Sequence, residues 1–230
     1  MAASQKGWNQ MIRVNRMLLI VPSRKRPDAC QELLNQFRET SACSDIVFGL
    51  DDDDKSIYTE DVLNHAVINP RMRMGGTLNH IARDNKDSYD FLAFMGDDHR
   101  PRTDAWDKIL CDSIGDKPGV AYGDDLFQGS NLPTAVVMSA HIVREIGYMV
   151  PPVLTHMYMD NFWRDLGIKL DNLQYNPDVI IEHLHYLAGK AVNDLQYQEV
   201  NASHVYEKDR IAYDEYVIAQ MDKDVLAIRS

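Results

Sequence analysis

Phe91-Leu-Ala-Phe-Met-Gly-Asp-Asp-His99 carries the reading of the fold. Five consecutive apolar residues read as a strand buried on both faces. The run ends abruptly in a glycine, two carboxylates and an imidazole. Upstream, Met17-Leu-Leu-Ile-Val21 has the same character and breaks at Pro22-Ser-Arg-Lys-Arg-Pro27, and Ile46-Val-Phe-Gly-Leu50 runs straight into Asp51-Asp-Asp-Asp54. Between these strands the apolar spacing changes to that of helices. Pro27 suits a first helical position, with Ala29, Leu33, Leu34 and Phe37 on one face. A second helix is expected from about Gly76 to Asp84, with Leu78, Ile81 and Ala82 inward. Strand, helix, strand, helix, strand predicts an α/β domain with a central, mostly parallel sheet.

Further along, Thr103 is positioned to cap a helix carrying Trp106, Ile109, Leu110 and Ile114. Gly119–Tyr122 and Thr134–Met138 read as shorter strands, and Ser139 as the cap of a helix bearing Ile142, Val143 and Ile146. Val179–Ile181 is a last strand, and a tyrosine-rich helix is expected near 206–221.

The 230 residues hold 24 Lys and Arg against 35 Asp and Glu, a net charge of −11 that disfavours wholesale coating of nucleic acid. The first six charged residues (Lys6, Arg13, Arg16, Arg24, Lys25, Arg26) are nevertheless all positive, which leaves room for a local basic groove beyond a loose N-terminal arm. Cys30, Cys43 and Cys111 form no C-x-x-C pair, against a disulfide framework or a cysteine metal site. No apolar run is long enough for a membrane span or signal core, so a cytoplasmic protein without a membrane anchor is expected, in a bacterium or in the host cell of a virus.

Ligands of open α/β sheets bind at the carboxyl ends of the strands. Here those ends offer a basic loop (22–27) beside two acidic ones (51–54 and 97–99). The combination makes chemical sense if carboxylates hold a divalent cation, the cation holds a diphosphate, and arginines neutralise the remaining charge. In an extended stretch Asp97 and His99 point the same way and could share one ion; alternatively Asp98 is the principal ligand, with Asp97 behind it. Carboxylate with imidazole suits Mn²⁺, whereas Mg²⁺ leans on carboxylates. His183 or His185, after Val179–Ile181, could supply a distant imidazole. Read singly, each of these groups is as well explained by a solvated loop or strand edge.

Taken in order, V-P-S-R-K-R-P, I-V-F-G-L-D, M-G-G-T-L-N-H-I-A and F-L-A-F-M-G-D-D-H resemble the nucleotide-sugar half of GT-A glycosyltransferases, especially the family-2-like group. The likeness covers residues 17–110 and continues more loosely to 186. It implies one GT-A-like domain over 1–230, with a nucleotide-sugar half at about 17–125 and an acceptor half at about 126–230. Pro22 and Ser23 would line the nucleotide pocket, Asp51 would meet the uracil or ribose, and Asp97, Asp98 and His99 would stand at the D-x-D metal motif. Gly96 occupies the place where many members carry the first aspartate, so the resemblance implies a shifted D-x-D or a D-x-H variant. Asp160, in Met157-Tyr-Met-Asp160, matches the segment holding the catalytic base, with N-capping of its helix as the competing role. The loop 123–130 resembles one that borders the acceptor, and Arg71 and Arg73 are candidates for the diphosphate.

The expected activity is therefore transfer of a hexosyl or pentosyl group from a nucleotide sugar, UDP-linked first, to an acceptor hydroxyl with inversion. Mn²⁺ or Mg²⁺ would assist the departing diphosphate together with Arg24 or Arg26, and Asp160 would act as base. A hydrolase, a nucleotidyltransferase and a non-catalytic module are the rivals. A protein, a saccharide or a modified DNA base could be the acceptor. A nucleic-acid groove would draw on Tyr186, Tyr197, Tyr206, Tyr213 and Tyr216 for stacking.

Overall fold

The structure is a computed structural model describing residues 16–186, 189–190 and 203–230. Lys6, Arg13 and Tyr197, and most of the basic arm, lie outside the described residues.

Strands β1 (Met17–Ser23), β2 (Ser44–Asp51), β3 (Ala66–Asn69) and β4 (Phe91–Phe94) alternate with helices α1 (Pro27–Thr40), α2 (Glu60–Leu63) and α3 (Arg73–Asn85). There follow β5 (His99–Pro101), α4 (Trp106–Ile114), β6 (Val120–Asp124), β7 (Val136–Ser139), α5 (Ala140–Ile146), α6 (Met159–Lys169), β8 (Leu173–His183), α7 (Ser203–Ala219) and α8 (Met221–Arg229). The strands form one mostly parallel sheet in the order β3-β2-β1-β4-β7-β6-β8-β5. β1 lies between β2 and β4 and is parallel to both. The chain therefore moves one way from β1 to build β2 and β3, then crosses to the other side for β4. That reversal opens a crevice at the carboxyl ends of β1 and β4.

Alternation along β1 fills both faces of the sheet. Met17, Leu19 and Val21 pack with α1 and α4 residues such as Leu33, Leu34, Trp106 and Leu110. Leu18 and Ile20 turn to the opposite face, against Leu78 and Ile81 of α3 and Phe162 and Trp163 of α6. The long Ile-, Leu- and Val-rich runs are thus strands covered by helices on both sides, as expected of a parallel core.

Three local expectations are corrected. α3 begins at Arg73, ahead of Gly76. Its glycines sit in the first turn because a Cβ at Gly75 would come within 2.5 Å of the Leu154 carbonyl. Ala105, in the left-handed region at φ 55°, precedes α4 in place of Thr103. The Thr103 hydroxyl instead accepts the Ile180 N–H at 2.9 Å, tying the approach to α4 onto β8. Ser139 does stand at the N-cap of α5, but its hydroxyl accepts the Gly119 N–H at 3.2 Å and makes no cap bond.

β8 is the element that completes the site. Its first half pairs with β6 in parallel, then the register jumps, with Gly123 opposite Asn176 but Asp124 opposite Ile180. The extra residues include Pro177, which has no N–H to give to a ladder. Beyond the bulge β8 runs antiparallel to β5, with His183 opposite His99.

Candidate functional site

A cleft of about 480 Å³ opens where these strands end. It is lined by every residue named above for the donor, the metal or the base: Pro22, Ser23, Arg24, Arg26, Asp51, Arg71, Arg73, Asp97, Asp98, His99, Asp160, His183 and His185.

Within it, Asp98, His99 and His183 each present a ligand atom within 4.8 Å of the others. Their grouping follows from a tight turn: the His99 N–H donates to the Gly96 carbonyl at 3.1 Å, so the period-two rule that would pair Asp97 with His99 does not apply. Asp98 Oδ1 lies 3.3 Å from His99 Nδ1, and Asp98 Oδ2 lies 3.4 Å from His183 Nε2. Gly96 is dictated by this geometry, because a Cβ there would sit 2.6 Å from Asp98 Oδ1 and 3.1 Å from His99 Nδ1. Asp97 is turned away and is not in the cluster. It accepts the Ser23 hydroxyl at 2.6 Å and an Arg26 N–H at 3.1 Å. His185 is likewise outside the cluster, its ring stacked on Phe127 at 5.4 Å.

The electrostatics separate these groups. Burial pushes Asp98 upward, but hydrogen bonds from His183 and His99 outweigh it and hold the carboxyl well below the usual range. Burial works against a charged His183, yet Asp125 and Asp98 overcome it and lift the imidazole to about 9. His99 moves the other way, lowered by burial and by the neighbouring His183 charge. Burial and the charge of Asp98 raise Asp97 to about 6 against the pull of Arg26. His183 Nδ1 is buried without a hydrogen-bond partner. A carboxylate and two imidazoles, one of them with a ring nitrogen that makes no hydrogen bond, fit a divalent cation of the Mn²⁺ type.

The basic loop meets the acidic loops directly. Arg24 donates both terminal nitrogens to Asp53, at 2.6 and 2.8 Å, and one of them to Asp51 at 2.6 Å. Arg71 Nε lies 3.9 Å from Asp51. The Lys25 N–H donates to Asp54 at 2.7 Å. The two loops are thereby braced against each other along one wall of the cleft.

The opposite wall comes from the start of α6. Tyr158, at φ 66°, occupies the N-cap, so Asp160 is not the cap. Asp160 lies within the first turn and lines the cleft, and burial raises its pKa. Next to it are residues that sequence reasoning missed. Asp209 of α7 is fully buried and accepts the backbone N–H groups of Thr155, His156 and Met157. His156 lines the cleft, and burial drops its pKa to about 4 despite Asp209. Asp125 organises the loop 123–130: one oxygen accepts the N–H groups of Phe127, Gln128 and Gly129, the other the Thr134 hydroxyl. An aspartate that bonds the backbone two residues on, as Asp125 does with the Phe127 N–H, is a turn signal that could have flagged it; nothing local flags Asp209.

The stacking residues fare differently. Tyr213 and Tyr216 are buried, their hydroxyls donating to Asp165 at 2.7 Å and Asp224 at 2.5 Å, so packing in the core takes up two of the five rings proposed for a nucleic-acid groove, whereas Tyr206 stays exposed. No helix among the described residues is long and apolar enough to cross a membrane.

No family model and no curated protein matches this sequence. Solved structures do match, and the fold is that of GT-A glycosyltransferases. The mannosyltransferase PcManGT from Pyrobaculum calidifontis, in complex with GDP-Man and Mn²⁺, superposes with a TM-score of 0.56 at 10% identity, over 95% of this chain and 74% of that one. Glucosyl-3-phosphoglycerate synthase from Mycobacterium tuberculosis, in complex with Mn²⁺, UDP and its glucosylated product, gives 0.57 at 10% identity over 84% and 78%. S. aureus TarS 1–349 in complex with UDP gives 0.53 at 12% identity over 72% and 59%. The chain thus spans 59% of that TarS fragment, and 44% of TarS in a longer structure.

Proposed function

We propose that this chain is a metal-dependent glycosyltransferase that moves a sugar from a UDP-linked donor to an acceptor hydroxyl with inversion. The observation that carries the reading is the meeting of Asp98, His99 and His183 within 4.8 Å, inside the cleft at the strand ends of a GT-A fold. Structures of similar fold hold UDP or GDP-Man with Mn²⁺, which supports a nucleotide-sugar donor.

In this reading residues about 17–125 serve the donor and about 126–230 the acceptor. Pro22 and Ser23 form the wall of the nucleotide pocket and Asp51 receives the base or ribose. Arg26, oriented by Asp97, faces the cleft with charge to offset that of the leaving diphosphate, and Arg24, oriented by Asp51 and Asp53, backs it. Asp98, His99 and His183 would hold Mn²⁺ or Mg²⁺, which would supply Lewis-acid charge at the diphosphate. Asp160 takes the proton from the acceptor hydroxyl as its oxygen attacks the anomeric carbon. Its raised pKa makes it a better base than an ordinary aspartate. One displacement, with the nucleophile entering opposite the diphosphate, inverts the anomeric centre.

Calorimetric titration with UDP tests the donor site. Binding is expected with Mn²⁺ and is expected to vanish in His183→Ala. No heat from UDP with Mn²⁺ would leave a non-catalytic module. Incubation with UDP-sugars and hydroxyl acceptors, read by mass spectrometry, tests transfer; release of free sugar regardless of acceptor would instead identify a hydrolase.

A further inference from the structure

The far end of the cleft is closed by α7, through His204, Val205 and Lys208. Asp209 fixes that helix to the loop 155–157: besides the three backbone N–H groups, its carboxylate accepts the Thr155 hydroxyl at 2.9 Å. α3 is fixed to the same loop, since the Gly75 N–H donates to the Thr155 carbonyl at 3.2 Å. Lys208, the neighbour of Asp209, and Arg73, two residues before Gly75, are thus brought around one loop that carries His156 and leads through Tyr158 to Asp160. Burial is the main cause of the low basicity of His156; Asp209 and Asp98 act against it, and Arg73 is close enough for its charge to add to it.

Charge at this end differs from that at the donor end. Arg24, Arg26 and Arg71 each face a carboxylate across the cleft wall. Among the described residues Lys208 and His204 form no ion pair, and the His156 ring makes no hydrogen bond although it lines the cleft. At neutral pH that ring is uncharged and offers one N–H and one lone pair. Cations and a hydrogen-bonding ring around a concave wall suit a phosphate group. The net charge of −11 repels a long polyanion, which favours a small phosphate ester over a nucleic acid.

We propose that the α7 end of the cleft is a phosphate-binding subsite, built by Lys208, His204, Arg73 and His156, that recognises a small phosphate-bearing acceptor. Its assignment to the acceptor rests on the glycosyltransferase reading above; phosphate recognition itself does not. The test uses the full chain with ¹⁵N-labelled histidines, first saturated with UDP and Mg²⁺ so that the donor site is filled. Inorganic phosphate is then titrated against sodium chloride of equal ionic strength. Saturable shifts of the His156 and His204 ring signals are expected. Lys208→Glu, at an exposed position that leaves the core untouched, is expected to weaken them about tenfold, as loss of one charged hydrogen bond would, with UDP affinity unchanged. No response beyond that to chloride, a response unaltered by Lys208→Glu, or a response only to a thymidine decanucleotide would each overturn the proposal. Failure of UDP to bind, with the phosphate response intact, would strike the glycosyltransferase reading and leave phosphate recognition standing.

Discussion

His99 and His183 stand opposite each other in the ladder between β5 and β8, with their rings stacked at 4.1 Å and 18° from parallel. Two like charges so close would repel strongly, and the protein resolves this by keeping His183 protonated and His99 neutral, with Asp98 bridging both. In the absence of a cation, the proton on His183 is the positive charge that Asp98 and Asp125 are arranged around. A metal ion would take its place.

That exchange makes stability depend on pH with a definite sign. The folded pKa of His183, about 9, lies above its ordinary value of 6.5, so its contribution is fully present below 6.5 and is lost as pH rises through 9. Asp98 acts at the other extreme, its contribution being lost only as pH falls through its depressed folded value. Asp97, raised to about 6, has largely titrated before this window opens. Metal-free protein should therefore lose stability between pH 6.5 and 9.0, by at most about 3 kcal/mol at roughly 1.4 kcal/mol per pH unit. Because imidazole must be neutral to bind metal, stabilisation by Mn²⁺ should grow over the same interval. Thermal melts at the two pH values, with Mn²⁺ and with EDTA, check both signs; a metal-free Tm that rises with pH would refute the assignment.

Gly96→Ala separates folding from cation binding. The added methyl would meet the far end of the Asp98 side chain, which can swing aside at little cost to the fold, but doing so removes it from His99 and His183. At pH 9.0, where the contribution of protonated His183 is already lost, the variant should melt within a few degrees of the wild type and bind Mn²⁺ at least about tenfold more weakly, the loss of one charged ligand being worth ~1.5–3 kcal/mol. Calorimetry with Mn²⁺ alone reads this without any substrate.

The donor half of the fold was legible because β1, β2 and β4 are uninterrupted apolar runs, each ending in polar residues at the crevice. β3 was not, since Ala66-Val-Ile-Asn69 is only four residues between Asn64-His65 and Pro70. β5 was hidden for a different reason. His99-Arg-Pro101 has no aliphatic residue, and Arg100 is buried by its bonds to the Asp97 and His99 carbonyls and to Glu32. The candidate site divides along the same line. Which residue types gather in the cleft follows from the strand ends, whereas the choice of Asp98 over Asp97 in the cluster depends on one turn hydrogen bond. Asp209 could not be read at all, because the groups it holds lie more than 50 residues away.

Asp160 faces the cleft with a pKa raised by burial and with no role as helix cap, so its replacement should touch chemistry more than structure. Asp160→Asn keeps the shape and removes the base. Transfer should fall by about 10²–10⁴-fold, with the affinity for UDP and Mn²⁺ within about twofold of wild type. Single-turnover rates alongside calorimetry distinguish this from a general loss of the site. Near-normal transfer would take Asp160 out of the role.

Asp209 acts at a distance, through the loop it clamps. Its two oxygens receive the N–H groups of Thr155, His156 and Met157 and the Thr155 hydroxyl, around a carboxylate that is itself fully buried. In Asp209→Asn one oxygen becomes an NH₂ pointing at N–H donors, so an acceptor is lost and buried donors go unpaired, at a cost of ~2–4 kcal/mol. For a chain of this size that is a fall in Tm of roughly 5–15 °C. The donor wall is built from β1, β2 and β4, none of which the clamp touches, so UDP binding should persist at temperatures where the variant is folded. The position of Asp160, three residues beyond the last clamped N–H, should not. The expected signature is therefore a transfer rate that drops well below that of Lys208→Glu while the UDP titration is unchanged. Equal loss of UDP binding and transfer would mean that α7 supports the whole cleft and not the acceptor wall alone.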